Sequence, residues 1–348
     1  MTAPVHMLNA LAREIACRSS DWGERVVIDP HSILDRGAEL ALSPPGRTSP
    51  NGTCRLMRAA DGWIAVNLPR PDDWTLMSAW LESEVAAADW HHLEIAVADR
   101  PVFYLRERAI MLGLAAGIVG EVAHDAGPIT PTLAMGKPRL RGGAPVVADL
   151  TSLWAGPLCA GLLARGGARV TRYESAQRPD PSRDAAPRFY RSLNQGKAHQ
   201  TLDFQTSESR TRLREALGQA DIVVTSARPR AFATLGIDPK DVFVANPSLI
   251  WVAITGYGWQ EQAGQRVAFG DDAAAAGGLL RWTAGGDPRF LGDALADPLT
   301  GLAAASAAMQ AWKDGGGVLI DVALARVAAF AAHDDMCEES IGNTYSPH

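Results

Sequence analysis

Two adjacent aspartates in Phe269-Gly270-Asp271-Asp272-Ala273, and a third, Asp297, ahead of Pro298, are the residues of this chain best suited to chemistry. A carboxylate at the start of a helix has two uses. It can accept the free N–H groups of the first turn and complement the helix dipole. Activated by its surroundings, it can instead attack a carbonyl and carry a covalent intermediate. Asp271 and Asp272 stand before an Ala-rich helical pattern and read first as an N-cap with a first-turn acid. Asp297 before Pro298 also reads as a good helix cap, with Asp293 close by in sequence.

Such residues need a scaffold, and the stretch 146–176 supplies its clearest unit. Val146–Leu150 is a short apolar run, followed by the loop Thr151–Pro157 and an Ala/Leu/Gly helix, Leu158–Arg165. A Gly166-Gly167 break leads to a second strand, Ala168–Tyr173, ending at Glu174. This βαβ unit sets a helix N-terminus at the carboxyl edge of a parallel sheet, where anions and nucleotides bind. Only Ala155-Gly156-Pro157 occupies the turn, so the unit lacks a GxGxxG fingerprint. Further strands at His199–Phe204, Asp221–Thr225, Leu249–Thr255 and Val318–Val322 alternate with helical segments. The pattern predicts an α/β fold with a doubly wound, Rossmann-like parallel sheet.

Upstream, LNALAREIA and DRGAELAL read as helix, and Trp74–Leu81 as a helix after an N-cap. Cys54–Arg58, the turn Ala60-Asp61-Gly62 and Trp63–Leu68 read as a hairpin. A Pro- and Gly-rich stretch marks the boundary. The expected division is a small α+β domain over 1–125, a linker over 126–145, and a Rossmann-like catalytic domain over 146–348.

Composition narrows the function. The chain has 348 residues, 47% hydrophobic and 21% charged, with a net charge of −6, the profile of a soluble globular protein with a large core. That charge argues against a nucleic-acid or anionic-membrane partner. The four cysteines are scattered without metal-ligand spacing, which predicts no structural zinc and suits a reducing cytoplasm. The N-terminus reads as no signal peptide, and no apolar run is long enough to span a membrane.

The ordered segments DLTSLWAGPLCAGLLARGGARVTRYE, LNQGKAHQTLDF, DIVVTSARPRAFATLGI, NPSLIWVAITGYG, GDDAAAAGGLL, ADPLTGLAAASAAMQAW and LIDVAL together resemble the family III CoA-transferases, a family that also contains α-methylacyl-CoA racemases. The resemblance implies acyl-CoA and a carboxylic acid as substrates, coenzyme A as the group carried, no metal, and a homodimer. It implies an aspartate nucleophile, matched by Asp271 or Asp272 with the register between them open, while Asp297 matches the aspartate of the racemase branch. The racemase histidine has no counterpart, since Gly270 or Asp271 stands at its position. By the same resemblance, Ala155, Gly156, Pro157, Arg172, Glu174, Asn194, Lys197 and Arg228 bind CoA, with Ser226-Ala227 departing from the family's acidic-aromatic pair. The stretch SPNGTCRLMRAADGWIAVNLPRPDDW resembles the family's small domain, which ordinarily follows the nucleotide-binding core and here precedes it. The expected activity is CoA transfer; the rival expectations are a racemase and a non-catalytic acyl-CoA-binding homologue.

Overall fold

Apolar residues alternate along the strands after Pro145, and the alternation sorts them onto two faces, both covered by helices. The computed structural model describes residues 4–34, 36–37, 39–85, 89–123, 127, 129–260 and 262–342. In chain order its strands are β1 (Cys54–Arg58), β2 (Trp63–Asn67), β3 (Ala115–Ile118), β4 (Thr132–Ala134), β5 (Val146–Leu150), β6 (Arg169–Ser175), β7 (Ala198–Leu202), β8 (Ile222–Thr225), β9 (Ile250–Thr255), β10 (Leu280–Trp282), β11 (Pro288–Phe290) and β12 (Val318–Ala323).

The seven-stranded sheet runs β4-β12-β9-β8-β5-β6-β7. All its pairings are parallel except that of β4 with β12. Counted from β7, the parallel strands appear in the order third, second, first, fourth, fifth, sixth, the doubly wound dinucleotide-fold arrangement. Strand order reverses between β5 and β8, where Leu150 pairs with Thr225. Sheets of this kind bind ligands in the crevice beyond those two carboxyl ends.

Val147, Ile222, Val224, Ile250, Val252 and Ile320 fill one core with the helices Ala155–Arg165, Gly270–Ala276, Ala296–Lys313 and Leu324–Gly342. The residues between them, Val223, Trp251 and Leu319, fill a second core with Leu213, Leu217, Phe232 and Phe243. Small residues bring two of the helices into direct contact. A Cβ on Gly301 would stand 2.7 Å from the Ala155 carbonyl oxygen, so the Ala296–Lys313 helix crosses the N-terminal turn of Ala155–Arg165 with no room for a side chain.

Before residue 145 the structure differs from expectation in several places. Met7, Leu8, Leu11 and Ile15 of the helix Val5–Ser20 lie in the main core. Arg18 Nη1 donates to the Ser306 carbonyl at 2.9 Å, fastening this helix to Ala296–Lys313. Residues 1–125 therefore do not pack as one separate unit. The small unit is the antiparallel sheet β1-β2-β3 with helices gathered around Trp80, Leu93 and Leu105. Trp74–Leu81 is two short helices, Pro71–Thr75 and Met77–Leu81. The expected linker contributes β4, an edge strand on β12. In DRGAELAL the described residues form turns and irregular chain; Asp35 and Ala38 lie outside the described residues. The second face of the small sheet, Cys54, Leu56, Trp63 and Ala65, packs on Ala275 and Phe290.

Gly301→Ala should lower stability by about 1–3 kcal/mol through overpacking, read as a shift in the urea midpoint. Gly218→Ala, also helical but with nothing within 4 Å of the added methyl, should instead raise stability by up to about 1 kcal/mol.

Candidate active site

The helix Gly270–Ala276 begins one turn earlier than its Ala-rich pattern suggests, so Asp271 and Asp272 lie inside its first turn. Asp272 Oδ1 accepts from the Phe269 backbone N–H at 2.9 Å and from Asn67 Nδ2 at 2.9 Å. Its Oδ2 is buried with no hydrogen-bond partner among the described residues. Burial pushes this carboxyl up to about 7, against the two donors and with help from the Asp271 charge. Asp271 Oδ1 accepts from the Ala294 N–H at 2.8 Å, and Oδ2 from Asn51 Nδ2 at 2.9 Å. Burial, partly opposed by the Ala294 bond, pushes Asp271 up to about 6. Both side chains are thus committed to fastening elements together: Asp272 ties its own helix to β2, and Asp271 ties it to the loop before Asp297.

Asn51 Nδ2 also reaches Asp293 Oδ1 at 3.2 Å. Asp293 Oδ2 accepts from Arg36 Nε at 2.7 Å and lies 2.6 Å from Arg36 Nη2. The Arg36 guanidinium lies over the Trp154 ring at 4.4 Å and over Phe189 at 5.7 Å. Asp297 completes the cluster from the first turn of Ala296–Lys313. Gly270 hydrogen-bonds Asp297 through its backbone, and a Cβ on that glycine would fall 2.5 Å from Asp297 Oδ2. Burial pushes Asp297 up to about 7; Arg36 opposes the rise, and Asp271 and Asp293 add to it. Asp271 and Asp272 are fully enclosed, whereas Asp297 is partly exposed. It stands one helical turn before Gly301, the residue that packs on the Ala155 carbonyl at the start of Ala155–Arg165.

The residues expected to hold CoA divide into two groups. Ala155, Gly156 and Pro157 open the helix at the switch point, and a Cβ on Gly156 would meet Thr151 Cβ at 2.3 Å. Across that crevice the Ser152 N–H donates to Ser226 Oγ at 3.2 Å. Arg228 is half-buried beside it, donating to the Gln265 carbonyl at 3.2 Å. Its pKa is lowered first by burial and then by two neighbouring cations, Arg230 and Arg70. The second group faces inward. Arg172, 1% exposed, donates to Asp180 Oδ2 at 2.7 Å and Asn194 Oδ1 at 3.0 Å. Lys197 Nζ donates to Asp149 Oδ2 and the Pro157 carbonyl, both at 2.9 Å, and to Asn194 Oδ1 at 3.0 Å. Glu174 accepts from Arg183 at 2.5 Å and from the Asp180 N–H at 2.9 Å. Arg172, Asn194 and Lys197 are therefore turned into the interior, where they bond to one another's acceptors and to the protein. Buried cations require buried acceptors, and Asp149 and Asp180 supply them.

Residues 145–348, more than half of the chain, match the family model of CoA-transferase family III. This chain belongs to CoA-transferase family III. It is similar to succinate–glutarate CoA-transferase of Agrobacterium fabrum, 32% identical in an alignment that covers 55% of this chain and 52% of that one. It is also similar to human succinyl-CoA:glutarate CoA-transferase, 30% identical over 50% of this chain and 43% of that one. Among solved structures, a CAIB/BAIF family protein of Brucella suis aligns with a TM-score of 0.51 at 27% identity, covering 58% of this chain and 57% of the other. This family III chain spans about half the length of the curated relatives it matches.

Three functional residues were not apparent from the sequence: Asn51, Asn67 and Arg36. Asn51 lies in the turn before β1 and Asn67 at the end of β2, some 200 residues from the aspartates they bind. Their one signal is the small-domain stretch in which they sit.

The raised carboxyls set a pH dependence. Their ordinary value is 3.8, against about 6, 7 and 7 in the folded chain for Asp271, Asp272 and Asp297. Between those limits the folded state holds more protons than the unfolded state, so the contribution of these three groups to stability is greatest at low pH and is lost as pH rises from about 4 through 6–7. Each pH unit between folded and unfolded titration is worth about 1.4 kcal/mol. The unfolding temperature should therefore rise as pH is lowered from 8 to 5, and Asp272→Asn should flatten that rise.

Proposed function

We propose that this family III protein moves CoA between an acyl-CoA and a carboxylic acid, with Asp297 as the nucleophile. The observation that carries the choice is exposure. Asp297 is partly open, one turn before the residue that packs on the switch-point helix, whereas Asp271 and Asp272 are closed in and committed to hydrogen bonds. The motif resemblance favoured the enclosed pair; the geometry favours Asp297. Relatives named for succinyl-CoA and glutarate support acyl-CoA and carboxylic acids as the substrate classes.

In this reading the Asp297 carboxylate attacks the thioester carbonyl of the donor, giving a mixed anhydride and CoA thiolate. The thiolate attacks the aspartyl carbonyl and displaces the donor carboxylate, leaving an aspartyl-CoA thioester. The acceptor carboxylate attacks that thioester, thiolate leaves, and its return to the acceptor carbonyl yields the new acyl-CoA and free Asp297. Each step exchanges one acyl–oxygen or acyl–sulfur bond for another, so no redox partner is required. The nucleotide end of CoA fits the crevice between β5 and β8, with the amides of the Ala155–Arg165 helix and Arg228 to meet phosphate. The β1-β2-β3 unit is read as the counterpart of the family's small domain, carried ahead of the Rossmann-like unit by a rearrangement of segment order.

Asp297→Asn should lower kcat by about a thousandfold or more while leaving the unfolding temperature unchanged or higher, because a carboxyl crowded by Asp271 and Asp293 is made neutral. Turnover within tenfold of the parent would end the assignment. After incubation with acyl-CoA and proteolysis, the mass adduct should lie on the peptide containing Asp297. The nucleophile must be ionised, so kcat/KM for acyl-CoA should fall about tenfold per pH unit below about 7.

A further inference from the structure

We infer that Arg36 receives the carboxylate of the acid substrate beside Asp297 and so determines selectivity for acids; this rests on the exchange reaction proposed above. The site presents an electrostatic difficulty to any incoming carboxylate. Asp271, Asp293 and Asp297 are linked through Asn51, the Ala294 N–H and Gly270 into one acidic cluster. An acid substrate entering there needs a cation already in place, because like charges at close range disfavour one another.

Arg36 is that cation. It enters from outside the parallel sheet and pairs with Asp293 through Nε and Nη2. Its Cζ lies 4.4 Å from the ring centre of Trp154, the residue that caps the switch-point helix, and 5.7 Å from that of Phe189. Trp154 and Phe189 meet edge to face at 5.1 Å, so the two rings form a rigid corner for the guanidinium. A guanidinium carries five N–H donors in a planar fork. The paired contacts to Asp293 orient that fork and the two rings pack against it, a preorganised arrangement that suits carboxylate recognition. The side chain keeps 17% of its surface exposed, which the fully enclosed Arg172 does not. It also lowers the pKa of Asp297, placing its positive charge near the carboxyl that reacts.

A tether that merely holds residues 30–40 against the core would make the same bond to Asp293, and kinetics separate the two roles. Arg36→Gln and Arg36→Lys are assayed with acetyl-CoA or succinyl-CoA as donor and acetate, succinate or glutarate as acceptor. In Arg36→Gln the KM for the acid should rise about tenfold or more, the loss expected for a charged hydrogen bond. The KM for acyl-CoA should stay within about twofold, since the phosphate-binding crevice is untouched. Arg36→Lys keeps the charge without the fork and should fall between parent and Gln variant; it carries the test alone if Arg36→Gln does not fold. Equal changes in the KM for acid and acyl-CoA, with a lowered unfolding temperature in both variants, would overturn the inference. A second measurement is independent of turnover: succinate should raise the unfolding temperature of the parent protein and not of Arg36→Gln. That result without CoA exchange would sustain Arg36 as the acid's partner and reject the exchange reaction. Parent protein that neither turns over nor shifts with any of the three acids would overturn the inference.

Discussion

Four carboxyl groups share one nearly closed volume, and the rest of the site answers to the cost of keeping them there. An ionised carboxylate moved from water into protein loses hydration that hydrogen bonds only partly replace. Here the replacements are few and specific. Asn51 and Asn67 reach in from the small sheet, Phe269, Gly270 and Ala294 supply backbone donors, and Arg36 supplies the positive charge. What those groups do not offset appears as raised pKa values, about 6, 7 and 7 for Asp271, Asp272 and Asp297. Asp271 and Asp272 are enclosed and spend their oxygens on fastening elements together. Asp297 is partly exposed and stands next to a cation, which leaves it the carboxyl open to chemistry.

The cluster also explains why the small sheet docks where it does. Cys54, Leu56, Trp63 and Ala65 supply an apolar contact to Ala275 and Phe290. That contact has no direction of its own, since hydrophobic burial is non-directional. The bonds from Asn51 to Asp271 and from Asn67 to Asp272 add the direction and fix the register of the two bodies. The glycines at the opposite side of the cluster set its depth. Gly270 lets Asp297 lie against the neighbouring helix, and Gly301 lets the Asp297 helix touch the switch-point helix.

Much of the fold was legible because parallel strands buried on both faces leave apolar runs of recognisable length between helix signals. Cys54–Arg58 and Trp63–Asn67 formed the expected hairpin, and Val146–Leu150, Ile222–Thr225, Ile250–Thr255 and Val318–Ala323 fell where the runs placed them. Packing of the first helix was not legible. The Val5–Ser20 helix carries an apolar stripe that suits any core, and only the tertiary structure shows that it covers Ala296–Lys313. The aspartates were legible as a set but not in rank. Asp271, Asp272 and Asp297 each stand at a helix start with small residues following, so local pattern cannot separate them. Their exposure depends on Asn51, Asn67 and Ala294, which are remote in sequence or joined through the backbone. Arg36 left no signal, since its partners Asp293, Trp154 and Phe189 are all more than a hundred residues away.

The buried cations at the sheet edge show how a residue expected at a ligand can act one step removed from it. Leu153 adopts φ 69, a left-handed conformation that costs a residue with a Cβ about 1–2 kcal/mol. Its N–H donates to Asp180 Oδ2 at 3.0 Å, and the same oxygen accepts from Arg172 at 2.7 Å. A charge-assisted bond of this kind is roughly twice as strong as a neutral one, enough to hold the loop in a shape it would not adopt alone. Lys197 does the same for the helix that follows, donating to the Pro157 carbonyl while its charge is met by Asp149. The interior network of Arg172, Asn194 and Lys197 thus shapes the turn from Ser152 to Pro157. Those cations act on the crevice between β5 and β8 through the shape they impose on this turn.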